Sequence, residues 1–234
     1  MQLENITDKR SSEPKRRYDD ACGTAHGLEL IGDRWALLVL RELMLGARRF
    51  SQLNADMPGL SANVLTQRLA ELEERGLARR RMLPPPASAQ VYEATAWGLE
   101  AEPIIQALGR WAARSPQHDP TLPLSGVSIL LSFRTMIDEK RARKVDAKVG
   151  FVFGKDLYVA RVRKGRIKVT QGPVEECDTV ITGAPTTLAA VVYGGAPIDQ
   201  LGISGDRSVA EKFITLFVLP PKVGKGVEAL DRSP

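Results

Sequence analysis

FSQLNADMPGLSANVLTQRLAELEERG, residues 50–76, is the most informative segment of the chain. Its apolar spacing predicts a short helix over 50–57, which Pro58-Gly59 ends because proline pushes the residue before it out of the helical region. Ser61 is placed to cap a second helix over 62–75, its hydroxyl accepting from a first-turn N–H, and Gly76 supplies the stop. Two short helices joined by such a turn form a helix-turn-helix, whose second helix enters the major groove of DNA. On that helix Leu65, Leu69 and Leu72 share the face that packs inward; Asn63, Thr66, Gln67 and Ala70 share another. Asparagine and glutamine pair with the adenine edge, and a threonine or alanine methyl can touch thymine. A solvated helix surface would show the same polar pattern; the residues beyond Gly76 separate the two readings.

Past Gly76 the apolar period changes from helical to alternating. Residues 77–83 and 90–95 are predicted strands joined by the tip Pro84-Pro85-Pro86-Ala87-Ser88-Ala89, a two-stranded wing. The expected N-terminal fold is therefore a winged helix-turn-helix, mainly α with a two-stranded wing. Phosphate contacts require exposed guanidinium groups around the reading helix. Arg48 and Arg49 precede the motif, and Arg79, Arg80 and Arg81 lie in the first wing strand. With Ser61, Asn63, Thr66, Gln67 and Arg68 they make up the candidate DNA-contact set. Strand side chains alternate, so Arg79 and Arg81 point one way and Arg80 the other. The three cannot reach DNA on equal terms.

Bulk charge carries none of this argument. The net charge of +5 divides into 16 Lys/Arg against 15 Asp/Glu in residues 1–115, and 17 against 13 in residues 116–234. At 234 residues the chain suits two domains. The segment 115–125, SPQHDPTLPLS, holds three prolines and no apolar periodicity, so it is read as a linker. The expected organisation is a flexible charged tail over 1–17, a DNA-binding and dimerisation domain over 18–115, a linker over 116–125 and a second domain over 126–234. No apolar run approaches the roughly 20 residues of a membrane span, and residues 1–17 lack a signal-peptide stretch, so a cytoplasmic location is expected.

Upstream of the motif, Leu28, Leu30 and Ile31 close one helical segment at Gly32, and Trp35, Leu38, Val39, Leu43 and Leu45 mark a second. A last helix is predicted over 97–114, with Leu99, Ile104, Ile105, Leu108 and Trp111. Leu28, Ile31 and Trp111 are apolar on terminal helices that a lone winged helix cannot fully bury, which predicts a homodimer. Beyond the linker, a helix over 127–137 precedes alternating strands around 149–153, 158–162, 167–169 and 179–182. Helices follow over 185–193, 196–201 and 206–219, punctuated by Gly194-Gly195, Gly202 and Gly205. Strands followed by helices predict a small α+β domain. Arg161, Arg163, Arg166 and Lys168 share a basic hairpin face, read as a solvated sheet surface with DNA or anionic lipid as alternatives.

Many positions in order now resemble one family. Cys22, Leu30-Ile31-Gly32, Arg34-Trp35, Leu40-Arg41-Glu42-Leu43, Arg49-Phe50-Ser51, Pro58-Gly59-Leu60-Ser61, Val64-Leu65-Thr66-Gln67-Arg68-Leu69, Gly76-Leu77, Pro85-Pro86, Val91-Tyr92 and Trp111 look like the HxlR family of bacterial winged-helix regulators, over about residues 20–114. The resemblance implies a homodimer built from the first and last helices that binds a palindromic operator in double-stranded DNA. The chain departs from the family pattern at Gly23, where a proline usually follows the cysteine, and at Trp97, usually aliphatic. The resemblance also carries a redox role to Cys22. Such a thiol needs exposure and a lowered pKa, which Arg16 and Arg17 would favour and Asp19 and Asp20 oppose; a small buried residue at the dimer contact is the other reading. Cys177, beside Glu175, Glu176 and Asp178, is read as inert.

Residues 126–220 resemble the sterol carrier protein type 2-like fold. The resemblance rests on the strand 149–153, the hairpin at Lys164-Gly165, Asp178-Thr179-Val180-Ile181-Thr182-Gly183 and Gly202-Ile203-Ser204-Gly205-Asp206. It implies an apolar tunnel for a fatty-acyl or sterol-like ligand, with Phe151, Phe153, Phe213, Leu216 and Phe217 as candidate lining; simple core filling is the alternative. Catalytic readings find nothing to build on. His26 and His118 are the only histidines, Cys22 and Cys177 have no metal-ligand spacing, and no nucleotide loop is present, so neither enzyme activity, metal nor cofactor is expected. The competing function is a lipid carrier whose N-terminal domain only dimerises, and such a carrier has no use for a reading helix flanked by arginines.

Overall fold

A computed structural model of the protein describes residues 18–224. The tail expected over 1–17 and the last ten residues of the second domain lie outside the described residues. The N-terminal half runs α1 (Gly23–Ile31), α2 (Ala36–Glu42), α3 (Phe50–Asp56), α4 (Ala62–Glu74), β1 (Ala78–Met82), β2 (Gln90–Ala94), α5 (Ala96–Leu99) and α6 (Glu102–Ala112). The wing is an antiparallel pair with Ala78 opposite Ala94. Arg48 adds a single antiparallel rung on the other side of β2, its N–H and C=O both bonded to Tyr92 at 2.8 Å. The apolar period predicts one long helix over 97–114; two are found. Pro103 has no N–H to give to an earlier turn, so it sits in the first turn of α6, and Thr95 caps α5 by accepting from Gly98 N–H at 3.0 Å.

The C-terminal half contains α7 (Gly126–Met136), α8 (Glu139–Ala142), β3 (Asp146–Phe153), β4 (Asp156–Arg163), β5 (Arg166–Gln171), β6 (Thr179–Thr182), α9 (Pro185–Gly194), β7 (Gly202–Gly205) and α10 (Arg207–Ile214). Its sheet has the order β5-β4-β3-β6-β7, with only the β3–β6 pair parallel. The domain is α+β. The helix expected over 196–201 is one 3₁₀ turn at Ile198–Gln200; Gly194-Gly195 end α9 as expected, whereas Gly202 and Gly205, also read as helix punctuation, lie in the edge strand β7. Gly205 explains the choice: its φ of +86° and its approach to the Asp178 carbonyl suit a backbone without Cβ. The final helix stops at Ile214, five residues earlier than expected, and Phe217 instead bridges to Ile137.

Helix α7 ties the halves together. It packs on β5 and also on α2 and α6. Residues 116–124 are irregular and exposed for most of their length, but Ser125 is buried, caps α7 through Ser128 N–H at 3.0 Å, and donates to Glu42 at 2.8 Å. Arg134 on α7 reaches both carboxylate oxygens of Glu102 on α6 at 2.6 Å. Among the described residues no helix is long and apolar enough to cross a membrane.

Candidate nucleic-acid interface

Helix α4 begins where Ser61 Oγ accepts from Val64 N–H at 3.3 Å. Leu65, Leu69 and Leu72 are fully buried, so three of its turns are anchored in the core. Asp33, in the turn before α2, receives Arg75 at 3.1 Å and Arg68 at 3.3 Å, and Arg75 also donates to the Leu30 carbonyl at 2.8 Å. The outer surface of α4 carries Ser61, Asn63, Thr66, Gln67 and Ala70, all exposed. Thr66 donates to the Ala62 carbonyl at 2.9 Å, and the Gln67 amide donates to Glu71 at 3.0 Å, a contact that must open before the amide meets a base.

Two of the candidate phosphate contacts are redirected. Arg68 has only 12% of its side chain exposed and lies between Asp33 and Glu71, the latter at 2.7 Å; it fastens the helix instead of facing solvent. Arg48 is 2% exposed. Its rung on the wing turns the side chain inward, where the guanidinium meets Asp56 at the end of α3, Asp156 on β4 at 2.7 Å and the Tyr158 hydroxyl at 2.9 Å. Gln52 on α3 also donates to Asp156, at 2.9 Å. These contacts join the helix-turn-helix to the C-terminal sheet. Sequence offered no signal for them, since the partners lie more than 100 residues apart.

Arg49, the very next residue, is exposed at the start of α3. Arg79, Arg80 and Arg81 are exposed and alternate: Arg79 and Arg81 share Glu93 at 2.7 and 2.6 Å, and Arg80 meets Glu73 at 3.0 Å. Hydrogen bonds from Arg81 and Arg79 hold Glu93 below the usual carboxylate range. Such exposed pairs contribute about 0–1 kcal/mol, so a phosphate can replace the carboxylate at little cost.

Cys22 is exposed and opens α1, and hydrogen bonds from the Thr24 and Ala25 backbone and the Thr24 hydroxyl lower its thiol pKa. Burial raises Cys177, with Asp178, Glu175 and Glu176 adding to the rise against Lys148. In the second half, Phe151, Phe213, Leu216 and Phe217 are buried, and the three aromatic rings all pack on Phe133, with Phe217 stacked on it at 4.3 Å between centroids. These four side chains are part of the packed core. Phe153 borders a cleft of about 290 Å³, together with Asp56, Pro58, Ser125, Asp156 and Pro185. Among the described residues no cluster of three or more His, Cys, Asp or Glu could hold a metal.

A helix locked by leucines on one side, polar and small on the other, and followed by an arginine-bearing wing places the N-terminal half in the winged helix-turn-helix class. Within that class, the HxlR-like helix-turn-helix family matches residues 30–119. An HTH-type transcriptional regulator of Synechocystis sp. is 39% identical over 98 residues, covering 42% of this chain and 73% of that protein. The HTH-type regulator YvaP of Bacillus subtilis is 34% identical over 85 residues, covering 36% of this chain and 79% of the relative. The reduced form of YodB from B. subtilis aligns with a TM-score of 0.38 at 28% identity, over 43% of this chain and 100% of that one. The chain belongs to the HxlR-like helix-turn-helix family, and its C-terminal half lies beyond the family's match.

Proposed function

We propose that the protein is a dimeric transcription regulator that reads a palindromic operator in double-stranded DNA through α4 and the wing. The observation that carries this reading is the exposed face of Asn63, Thr66, Gln67 and Ala70 on a helix immobilised from behind. Small residues let that helix approach base edges, and Arg49, Arg79, Arg80, Arg81 and Ser61 surround it with groups suited to phosphate. Leu28 on α1 and Ile104, Leu108 and Trp111 on α6 are exposed, Trp111 to 71%, and a two-fold partner would cover them. Half-sites are then expected about 10–10.5 base pairs apart, or a multiple of that. The test is an electrophoretic shift of the DNA upstream of the protein's own gene. Gln67→Ala and Asn63→Ala are each expected to lower specific binding by about 1–3 kcal/mol while sparing mixed-sequence DNA. If both lose specific and nonspecific binding equally, α4 is not the reading helix.

For the second half, read as sterol carrier-like, we propose a small apolar ligand and place its site in the cleft beside Phe153. A molecule seated there would touch Asp56 and Pro58 of the helix-turn-helix and Phe153 and Pro185 of the C-terminal half at once. It shifts DNA affinity only as far as it binds the two arrangements differently. Phe153→Asp in the full chain is expected to abolish any response to fatty-acyl or sterol-like compounds; a retained response places the ligand elsewhere.

A further inference from the structure

The outer face of the C-terminal sheet carries charge in an arrangement that opposes the sheet's own stability. The register sets Lys148 opposite Arg161 and Arg161 opposite Lys168 in one row across β3, β4 and β5. In the next row Asp146 stands opposite Arg163, and Arg163 opposite Arg166. All six alternate with buried Ala147, Val149, Ala160, Val162 and Val169, so they share the face away from the core. Directly opposed side chains lie about 4.5–5.5 Å apart at Cβ, where like charges destabilise the pairing. Compensation is partial. Asp146 accepts both Arg161 and Arg163, and Glu176 takes Lys148 at 3.3 Å. Arg166 and Lys168 have no ion pair among the described residues. Helices α7 and α10 cover the opposite face, while the loop carrying Val174 folds over Gly150, where a Cβ would lie 2.8 Å from Val174. The basic end stays open.

We propose that this face binds the sugar–phosphate backbone of duplex DNA without reading sequence, which rests on the reading of the chain as a DNA-binding regulator. Its composition selects that partner. A membrane surface is gripped by an amphipathic face that inserts apolar side chains, and residues 138–217 expose no large apolar side chain. Single-stranded nucleic acid is held by aromatic platforms, and these rows hold none. A duplex asks only for an array of cations.

The test uses the full chain and the triple variant R161Q/R166Q/K168Q, titrated with a mixed-sequence duplex over a range of salt. Each lost phosphate contact lowers the slope of log K against log salt by about 0.9, so the triple variant is expected to lower it by about 2–3, and Arg166→Gln alone by about 0.9. Gln67→Ala is expected to leave that slope intact and to reduce only the preference for operator over mixed sequence. Because opposed like charges are relieved, Lys168→Glu is expected to raise the thermal midpoint at low salt. An unchanged slope in the triple variant overturns the sheet face while leaving α4 as the reader. A lowered slope with no operator preference in any variant overturns the operator reading and keeps the face. Capture by phosphatidylserine vesicles that the triple variant loses, with the DNA slope unchanged, assigns the face to membranes and overturns the proposal.

Discussion

Arg48 and Arg49 are adjacent arginines with opposite fates, and the difference is one of backbone position. Both read as phosphate contacts in the sequence because nothing local distinguishes them. The rung that Arg48 makes with Tyr92 turns its side chain into the junction between the two halves, and Asp56 and Asp156 neutralise it there. Removing one partner of a buried ion pair leaves the other charges unpaired, so Arg48→Met is expected to cost about 3–5 kcal/mol in denaturant unfolding. Glu42, in the same junction, is fully buried; desolvation raises its pKa against the pull of Arg41 and Ser125. A carboxyl whose folded pKa is raised stabilises the fold below its unfolded pKa, and that contribution is lost as pH climbs through the folded value. Thermal midpoints measured from about pH 4 upward should therefore show a decline that Glu42→Gln lacks. The two thiols are shifted in opposite directions, so Cys22 is expected to reach half-maximal iodoacetamide reactivity at lower pH than Cys177, as mass spectrometry of the labelled peptides can show.

Elements set by local signals were legible. Pro58-Gly59, Ser61 and Gly76 placed α3 and α4 within one residue of their ends, and the change of period at Gly76 placed the wing. Elements whose identity depends on a distant neighbour were not. Gly202–Gly205 has the composition of a helix break and becomes a strand because β6 offers it an open edge; Pro103 divides a helix whose apolar period runs through it unchanged. The same division runs through the site. The outer residues of α4 follow from helical geometry, whereas the inward turn of Arg68 requires Asp33, a residue of another element. In the wing, the pairing with Glu93 and Glu73 leaves the arginines exposed and exchangeable. Arg80→Ala or Arg81→Ala is thus expected to weaken binding to every duplex alike and to lower the salt slope by about 0.9 each, unlike Gln67→Ala.

At the scale of the molecule, a proline-rich linker suggests two separable domains, and the packing of α7 changes what separation would do. That helix lies on α2 and α6 of the N-terminal half and on β5 of the other, so one element belongs to both cores. Its start brings Ser125 to the buried Glu42, and its last turns bring Arg134 to Glu102. The sheet behind it supplies Asp156 and Tyr158 to Arg48. Ending the chain after residue 115 removes every one of these partners. Glu42 would lose Ser125, Arg48 would keep only Asp56, and the apolar surface of α2 and α6 that α7 covers would meet water. Buried apolar area is worth about 25 cal/mol per Å², and the orphaned charges add their own penalty. A 1–115 fragment is therefore expected to melt well below the full chain and to self-associate beyond a dimer in sedimentation, even though its reading helix and wing are intact. If it instead sediments as a clean dimer with an unchanged midpoint, the junction contributes little stability. The two halves would then be independent, and a ligand in the cleft beside Phe153 would have no rigid path to α4. If the expected loss is seen, the two halves stabilise each other through that junction, as any coupling between the proposed ligand and DNA, typically about 1–3 kcal/mol, would require.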